Sequence, residues 1–303
     1  MKARVLPAIA ALLVLAACST PDSPTSPSPS DPSYGRNENP NDEIQNDPKV
    51  HVHLARGQAR PGSGGVQLLQ YHGGAIMTST VVQAIYWGPS WGISTFAGDK
   101  MTGLDSFYGG ISGTSYMKTN TEFTGSNGQV GAGVTYYGHT MDLSAPPKGS
   151  PRTSDILAEV CRQVASPVAN GYYPVYVDTP RGQTRYCAWH SYGTCGNTPV
   201  QIAFFFSLDG DRGCDPESPV SNESQGLAAL ANVSGHELSE AVTDPRNGGW
   251  WDSSGAENAD KCAWTYGPNL MSFGGKQWKI QGNFSNNAAN AHSGYDGAGC
   301  ISG

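Results

Sequence analysis

The sequence predicts an α+β domain with a mixed, mostly antiparallel sheet that is stabilised by disulfide bonds. Short runs of β-branched and aromatic residues alternate with two segments in which apolar residues recur at helical spacing. This pattern favours a single unit around one core. Six of the seven cysteines lie between Cys161 and Cys300, and this even number favours three disulfides in an exported protein. Several pairings are formally possible, and only Cys262 with Cys300 is predicted.

The individual elements follow from local patterns. Val81 to Trp87 is a β-branched and aromatic run closed by Gly88-Pro89, which predicts a buried strand. Thr153-Ser154-Asp155 precedes one amphipathic pattern and Asp244-Pro245 ends another, so both segments are predicted to be helices. The predicted strands are 81–87, 129–137, 172–177, 200–206 and 276–281, and the predicted helices are 153–164 and 226–242.

The amino-terminal residues resemble the export signal of a bacterial lipoprotein. Lys2 and Arg4 precede the apolar run Val5 to Val14, and Leu15-Ala16-Ala17 stands directly before Cys18. The resemblance implies removal of residues 1–17 and lipidation of Cys18. The mature protein would then lie outside the cytoplasm, anchored to the cell membrane or to an outer membrane. An ordinary secretory signal followed by an incidental cysteine is the alternative.

Residues 18–66 are predicted to be a disordered linker, because proline, serine and aspartate dominate and little apolar surface can be buried. The folded domain is then 67–303. Removing residues 1–17 takes away Lys2 and Arg4, so 18 basic residues become 16 against 25 acidic ones, a formal charge of about −9. This excess of acid argues against nucleic acid as a partner. The membrane is expected as a partner only through the lipid.

Residues 234–245 contain the run His-Glu-Leu-Ser-Glu, which is typical of a metal-binding helix. His236 and Glu240 are four residues apart, so on a helix they share a face and can bind one ion. Glu237 stands beside them as a candidate general base. Zinc hydrolases of this type carry a second histidine at the position where this chain has Glu240.

A third metal ligand is predicted after the helix. Here the chain resembles gluzincins, the thermolysin-like zincin metalloproteases: Glu257 lies 17 residues after Glu240, and Asp260 follows. The resemblance implies that Glu257 binds the metal, that Asp260 holds His236 by a hydrogen bond, and that the fold is zincin-like. In that layout one helix and two strands precede the His-Glu helix. His190 is a candidate ligand or donor to a developing oxyanion.

The predicted ligand set of one imidazole and two carboxylates is harder than two imidazoles and one carboxylate. The expected cofactor is a divalent ion, zinc by analogy, and such a set also admits manganese, iron or calcium. An arrangement without metal is the alternative. In it His236 and Glu240 form an ion pair or a cap, and Glu257 and Asp260 accept backbone N–H groups in a turn.

Four short groups of residues follow one another along the domain. They are Tyr71-His72-Gly73-Gly74, Cys187-Ala188-Trp189-His190, His236-Glu237-Leu238-Ser239-Glu240 and Glu257-Asn258-Ala259-Asp260-Lys261-Cys262. Together, and in this order, they resemble the phosphate-induced protein 1 family, whose plant members are called Exordium. The likeness covers about Gln70 to Cys300. It implies a secreted domain in which Glu240 is the family's own residue, and it carries no established reaction.

Two functions follow from these observations. The first is a cell-surface metal-dependent hydrolase, a peptidase or amidase, in which Glu237 takes a proton from the attacking water and His190 assists. Its substrate would be a peptide or a cell-wall fragment. The alternative is a non-catalytic surface module that binds a glycan or a protein through exposed aromatic rings. The tryptophans concerned are Trp189, Trp250, Trp251 and Trp264.

Overall fold

The computed structural model describes Ile44 and residues 47–58, 66–217 and 223–303. The predicted signal peptide, the lipidation site Cys18 and most of the predicted linker lie outside the described residues. In the part of the chain that is described, we find no helix with the length and apolar character needed to cross a bilayer.

One six-stranded sheet forms the centre of the domain. Its strands, in the order in which they lie side by side, are β1 (His51–Leu54), β8 (Tyr186–Cys195), β9 (Thr198–Ser207), β7 (Gly171–Pro180), β3 (Thr80–Trp87) and β6 (Val134–Asp142). Strands β6, β3, β7 and β9 are mutually parallel, whereas β8 is antiparallel to β9 and β1 is antiparallel to β8. The central strands are buried along most of their length, as is usual for parallel strands covered on both faces.

Four two-stranded ribbons complete the β structure of the described residues. They pair β2 (Gln70–Tyr71) with β10 (Trp250–Trp251), β4 (Thr124–Gly125) with β5 (Gly128–Gln129), β11 (Met271–Phe273) with β12 (Lys276–Trp278), and β13 (Asn283–Phe284) with β14 (Cys300–Ile301). All four are antiparallel, so six of the nine strand pairings described are antiparallel. The predicted α+β class with mostly antiparallel pairing is therefore confirmed, although the main sheet has a parallel centre.

The helices pack on this sheet and between the ribbons. They are α1 (Ser94–Ala97), α2 (Lys100–Gly110), α3 (Ser115–Lys118), α4 (Thr153–Gln163), α5 (Gln225–Thr243) and α6 (Asn286–Asn290), with 3₁₀ turns at Pro89–Gly92, Thr119–Glu122 and Asp260–Cys262. Helix α5 begins at Ser224, whose hydroxyl accepts the N–H of Leu227 at 3.1 Å. Residues 226–243 of α5 are all buried, because the helix contacts β8 and β9 as well as α2.

Several predicted elements are confirmed and others are corrected. Helices 153–164 and 226–242 form within one or two residues of their predicted bounds. The strand predicted at 129–137 begins only at Val134, because Gly128–Gln129 pairs with Thr124–Gly125 in a separate ribbon. Strand β8 was not predicted. Consequently three strands, not two, separate α4 from α5.

Three disulfides join the cysteines of the domain. Cys262 bonds to Cys300, as predicted. The other two bonds join Cys161 to Cys195 and Cys187 to Cys214, so both ends of β8 are tied to neighbouring segments. Disulfides of this kind are compatible with a protein outside the cytoplasm.

Part of the predicted linker is folded onto the domain. Strand β1 lies at residues 51–54, inside the segment 18–66 that was predicted to be disordered, and it pairs with β8. The boundary at residue 67 is therefore too late. A strand of four residues among proline and glycine is too short for composition to reveal, and it is stabilised by pairing with a distant part of the chain.

Asp142 provides a pH-dependent contribution to stability. Burial raises the pKa of its carboxyl, but the amide and hydroxyl of Ser144 and the guanidinium of Arg162 outweigh burial and lower the pKa to about 2. An acid with a depressed pKa stabilises the fold above its unfolded pKa of 3.8, and this stability is lost as pH falls towards 2. Because the Arg162 side chain is 54% exposed, we expect about 1–2 kcal/mol.

We expect the Asp142→Asn variant to lose this pH dependence. Its free energy of unfolding, measured by urea denaturation between pH 4 and pH 2, should fall less steeply than that of the wild type. Burial raises the pKa of the neighbouring Glu159 carboxyl, so the contribution of Glu159 to stability decreases as pH rises and changes at higher pH than that of Asp142. Equal slopes for the two proteins below pH 4 would contradict the assignment to Asp142.

Candidate metal centre

Helix α5 carries three buried side chains of the predicted site. His236 and Glu240 lie one turn apart, with the Nε2 atom of His236 at 3.1 Å from Oε1 of Glu240. Glu237 follows His236 directly, and all three residues have 0% of their surface exposed. The helix is covered on its other sides by the sheet and by α2, so it holds this set in a fixed place. The predicted proximity of His236 and Glu240 is present in the structure.

Strand β8 brings His190 to the same place. Its Nδ1 atom lies 3.0 Å from Oε2 of Glu237 and 3.5 Å from Oε2 of Glu240. The Glu240 carboxylate therefore reaches one histidine with each oxygen, His236 with Oε1 and His190 with Oε2. His190 is itself almost fully buried. The structure thus brings His190, a candidate ligand or oxyanion donor from the sequence, next to the candidate base Glu237.

The loop after β10 contributes the remaining two carboxylates. Asp260 Oδ1 lies 3.7 Å from Nε2 of His236, and the backbone N–H of Asp260 donates to Oε1 of Glu240 at 2.9 Å. Glu257 Oε2 lies 3.7 Å from Nε2 of His190. Asp260 was predicted to hold His236 by a hydrogen bond. Its carboxylate lies near Nε2 of His236, where a third metal ligand beside His236 and Glu240 would lie. Glu257, predicted as the third ligand, stands on the side of His190.

These six residues are called the buried cluster below. Its members are His190, His236, Glu237, Glu240, Glu257 and Asp260.

Two histidines that received no role from the sequence also contact the buried cluster. His53 stacks on the ring of His236, with 3.7 Å between ring centroids. His51 stacks on His190 at 5.0 Å, and its Nδ1 atom lies 2.7 Å from Oε2 of Glu257. Both come from β1. The available sequence signal was the run His-Val-His, because residues two apart on a strand point to the same face.

The donor atoms are spaced as ligands of one ion would be. Four groups have nitrogen and oxygen donors within 4.8 Å of one another. Donors around a tetrahedral ion at ordinary bond lengths are about 3.3 Å apart, and the contacts of His236 with Glu240 and Asp260 span 3.1–3.7 Å. The buried cluster could therefore hold a metal ion. The groups are His51, His190 and Glu257; His53, His236 and Glu237; His190, Glu237 and Glu240; and His236, Glu240 and Asp260.

Gln281 determines which nitrogen of His236 carries a proton. Its Nε2 atom lies 2.8 Å from the carbonyl oxygen of Ala259 and 2.8 Å from Nδ1 of His236. A carbonyl can only accept, so the amide nitrogen faces both partners and Nδ1 of His236 accepts. Nε2 then carries the proton and donates it to Glu240. A metal at Nε2 would take the place of this proton and leave it on Nδ1, which would then need an acceptor; Gln281 would provide one if its amide turned over and gave up its hydrogen bond to Ala259.

We expect Gln281→Leu to weaken metal binding about 10- to 100-fold, because Nδ1–H of His236 would lose its acceptor. The affinity is measured by competition with a chromogenic chelator. Nitrogen NMR of the imidazole provides a second readout, since the proton should move from Nε2 to Nδ1 on loading. Gln277→Leu, at an exposed glutamine on β12, is the matched control. Equal metal affinity of the Gln281 variant and the wild type would show that Gln281 does not support metal binding.

Trp264 lies next to His53, the histidine that stacks on His236 of the buried cluster. Its ring is 4.7 Å from that of His53, and its Nε1 donates to the carbonyl of Leu54 at 2.9 Å. Trp251 instead stacks on His72, with 3.3 Å between centroids. Trp189 is fully buried and stacks on Phe204, so its ring does not offer a surface to a glycan.

No family model, no curated protein and no solved structure matches this chain. The case for a metal centre therefore depends on the geometry of the buried cluster itself.

Proposed function

We propose that this chain is a lipid-anchored, extracytoplasmic hydrolase that uses a divalent metal, zinc in the first instance, to cleave amide bonds. The observation that carries the proposal is the convergence of His236, Glu240 and Asp260. Nε2 of His236 lies 3.1 Å from Oε1 of Glu240 and 3.7 Å from Oδ1 of Asp260. These three residues would hold the ion. Glu237 and His190 lie beside them, and in this proposal Glu237 is the general base and His190 the group that orients it.

Charge balance supports a cation in the buried cluster. Glu237, Glu240 and Glu257 have 0% of their surface exposed. An ionised carboxylate taken out of water costs several kcal/mol unless an opposite charge compensates it. The imidazoles that contact these carboxylates carry a positive charge only when protonated, whereas one divalent ion supplies two charges at a single point. A bound metal therefore explains why so many acids are buried together.

The residues of the cluster have the chemistry that amide hydrolysis requires. A divalent ion held here would supply Lewis-acid chemistry, polarising the carbonyl and lowering the pKa of water. Glu237 accepts a proton from the attacking water, whose oxygen bonds to the carbonyl carbon. The Glu237 carboxyl then returns this proton to the leaving nitrogen as the C–N bond breaks. His190 orients Glu237 by donating from Nδ1 over 3.0 Å.

The sequence supports the same proposal from a different direction. The residues before Cys18 resemble a lipoprotein signal, and three disulfides suit a protein outside the cytoplasm. The resemblance to the phosphate-induced protein 1 family adds a secreted location. The His-Glu motif resembles that of zincin metalloproteases, which supports amide bonds in peptides or cell-wall fragments as the substrate.

Metal content tests the proposal. The mature chain is purified without chelators, loaded separately with Zn²⁺, Mn²⁺ and Ca²⁺, dialysed and measured by elemental analysis. We expect about one equivalent of a transition metal in the wild type and its loss in His236→Ala and Glu240→Ala. His139→Ala is the matched control, because His139 pairs with Asp105, away from the buried cluster. Equal metal in all four proteins, or none in the loaded wild type, would refute the metal centre.

A further inference from the structure

The buried cluster is closed to any substrate in this structure. His236, Glu237, Glu240 and Glu257 are inaccessible to solvent, and His190 is nearly so. A polymer cannot reach a carboxylate that water itself does not touch. Hydrolysis by this centre therefore requires that one of the elements around it moves away.

The element that can move away is the segment 47–58, called the cover segment below. Its strand β1 places His53 on the ring of His236 and His51 against Glu257. The other walls of the centre are α5 and β8, which belong to the core, and the 257–262 region, which a disulfide fixes at Cys262. Each of the three disulfides joins two residues between Cys161 and Cys300. The cover segment is therefore attached to the centre without a cross-link.

The contacts that hold the cover segment involve its backbone and also side chains, among them the guanidinium of Arg56, which lies 5.0 Å from the ring centroid of Trp264. The N–H groups of Ala55 and Arg56 donate to Arg185 and Gly213, both at 2.8 Å. The carbonyl of Pro48 accepts from the amide of Asn247 at 2.8 Å, and that of Leu54, at the end of β1, accepts from the indole of Trp264 at 2.9 Å. Any extended peptide can make such backbone contacts, whatever its sequence.

The position of β1 is one that an added peptide strand would take. It forms the outer edge of the six-stranded sheet and pairs antiparallel with β8, with His51 opposite His190, Val52 opposite Trp189 and His53 opposite Ala188. Extended peptides bind proteins by adding a strand to such an edge, with alternate side chains facing the protein. In β1 those alternate residues are the two histidines on the cluster. A cleft continues beside the strand and is lined by Leu54, Asp260 and Trp264.

We propose that the β8 edge is the substrate-binding site, that it accepts an extended peptide, and that the cover segment occupies it as an intramolecular inhibitor. Displacement of β1 removes the imidazoles of His51 and His53 from the cluster and frees the β8 edge for the peptide. The substrate is thus an unfolded or extended polypeptide segment that lies antiparallel to β8. The inference rests on the proposed hydrolase function for its purpose, but the binding site itself exists with or without metal.

A cut introduced after folding tests the inference on the whole mature chain. A recognition sequence for a specific protease is inserted between Ser63 and Gly64, after the cover segment. In the control chain the same sequence is inserted between Ser33 and Tyr34, before it. Both proteins are folded intact and then cut. Only the first cut converts the cover segment from an attached strand into a separate peptide, which dilution and dialysis remove.

The binding readout is fluorescence anisotropy of a labelled peptide with the sequence of residues 47–58. We expect it to bind the protein cut after Ser63 at least ten times more tightly than the uncut protein or the control cut after Ser33. A peptide with His51→Ala and His53→Ala should bind at least tenfold more weakly, whereas one with Pro48→Ala, at an exposed side chain, should not. Equal binding to cut and uncut protein, or none to either, overturns the inference.

The second readout is the rate at which a chelator removes bound metal, which we expect to rise at least tenfold after the cut at Ser63. The peptide assay is run on metal-free protein as well. If the protein binds no metal but the peptide binds only after the cut, the hydrolase proposal fails and the peptide site stands. If metal binds and uncut protein hydrolyses peptides as fast as cut protein, the hydrolase proposal stands and the inhibitory role of the cover segment fails.

Discussion

Replacing Glu237 with glutamine is expected to reduce peptide hydrolysis about 10²- to 10⁴-fold, which is the usual contribution of a general base. Glutamine keeps the shape of the side chain and can still contact Nδ1 of His190, which lies 3.0 Å from Oε2 of Glu237. It cannot accept the proton of the attacking water. The loss should therefore fall on kcat, with metal content and KM little changed. The rate is measured with a fluorogenic peptide on protein cut after Ser63.

The matched control for Glu237→Gln is Asp105→Asn, another acid-to-amide change. Asp105 contacts Tyr136 and His139 and lies outside the buried cluster. It should leave hydrolysis unchanged. A Glu237→Gln protein that retains more than about a tenth of wild-type kcat would show that Glu237 does not act as the base. In that case the cluster would be better understood as a structural metal site.

The main helix of the site could be predicted because its signals are local. Asp244-Pro245 ends α5, and the spacing of His236 and Glu240 places both on one face whatever surrounds the helix. The same holds for α4. Patterns of this kind depend only on neighbours in sequence, so they predict a helix without knowledge of the fold.

The β structure was predicted less completely because strands depend on distant partners. The buried runs of β3, β7 and β9 are apolar on both faces, and such runs do not reveal whether their neighbours are parallel or antiparallel. Strand β8 contains glycine and cysteine, and no strand was predicted there. Its strand character comes from pairing with β9 on one side and β1 on the other.

The set of residues at the site was predicted only in part, again because distant segments of the chain decide which residues meet. His190 and Asp260 do meet the helix residues, whereas Glu257 meets His190, because the loop conformation decides which carboxylate faces which imidazole. The pairing of β1 with β8 brings His51 and His53 to the cluster, and no pattern near them in sequence indicates that pairing. Gln281 reaches His236 from a segment predicted as a strand, where a glutamine carries no signal of its role.

Removing the metal is expected to lower the free energy of unfolding by about 4 kcal/mol, the stabilisation given by an ion at about 1,000 times its Kd. The buried carboxylates of Glu237, Glu240 and Glu257 then lose their countercharge. For a domain of this size the midpoint of thermal unfolding should fall by about 10 °C. Calorimetry with and without a chelator measures the change.

Glu240→Ala is the control, because a chelator should not alter the midpoint of a protein that no longer binds metal. If instead the cluster is held by hydrogen bonds and shared protons alone, the chelator leaves the wild-type midpoint unchanged, and Glu240→Ala lowers it equally with and without chelator.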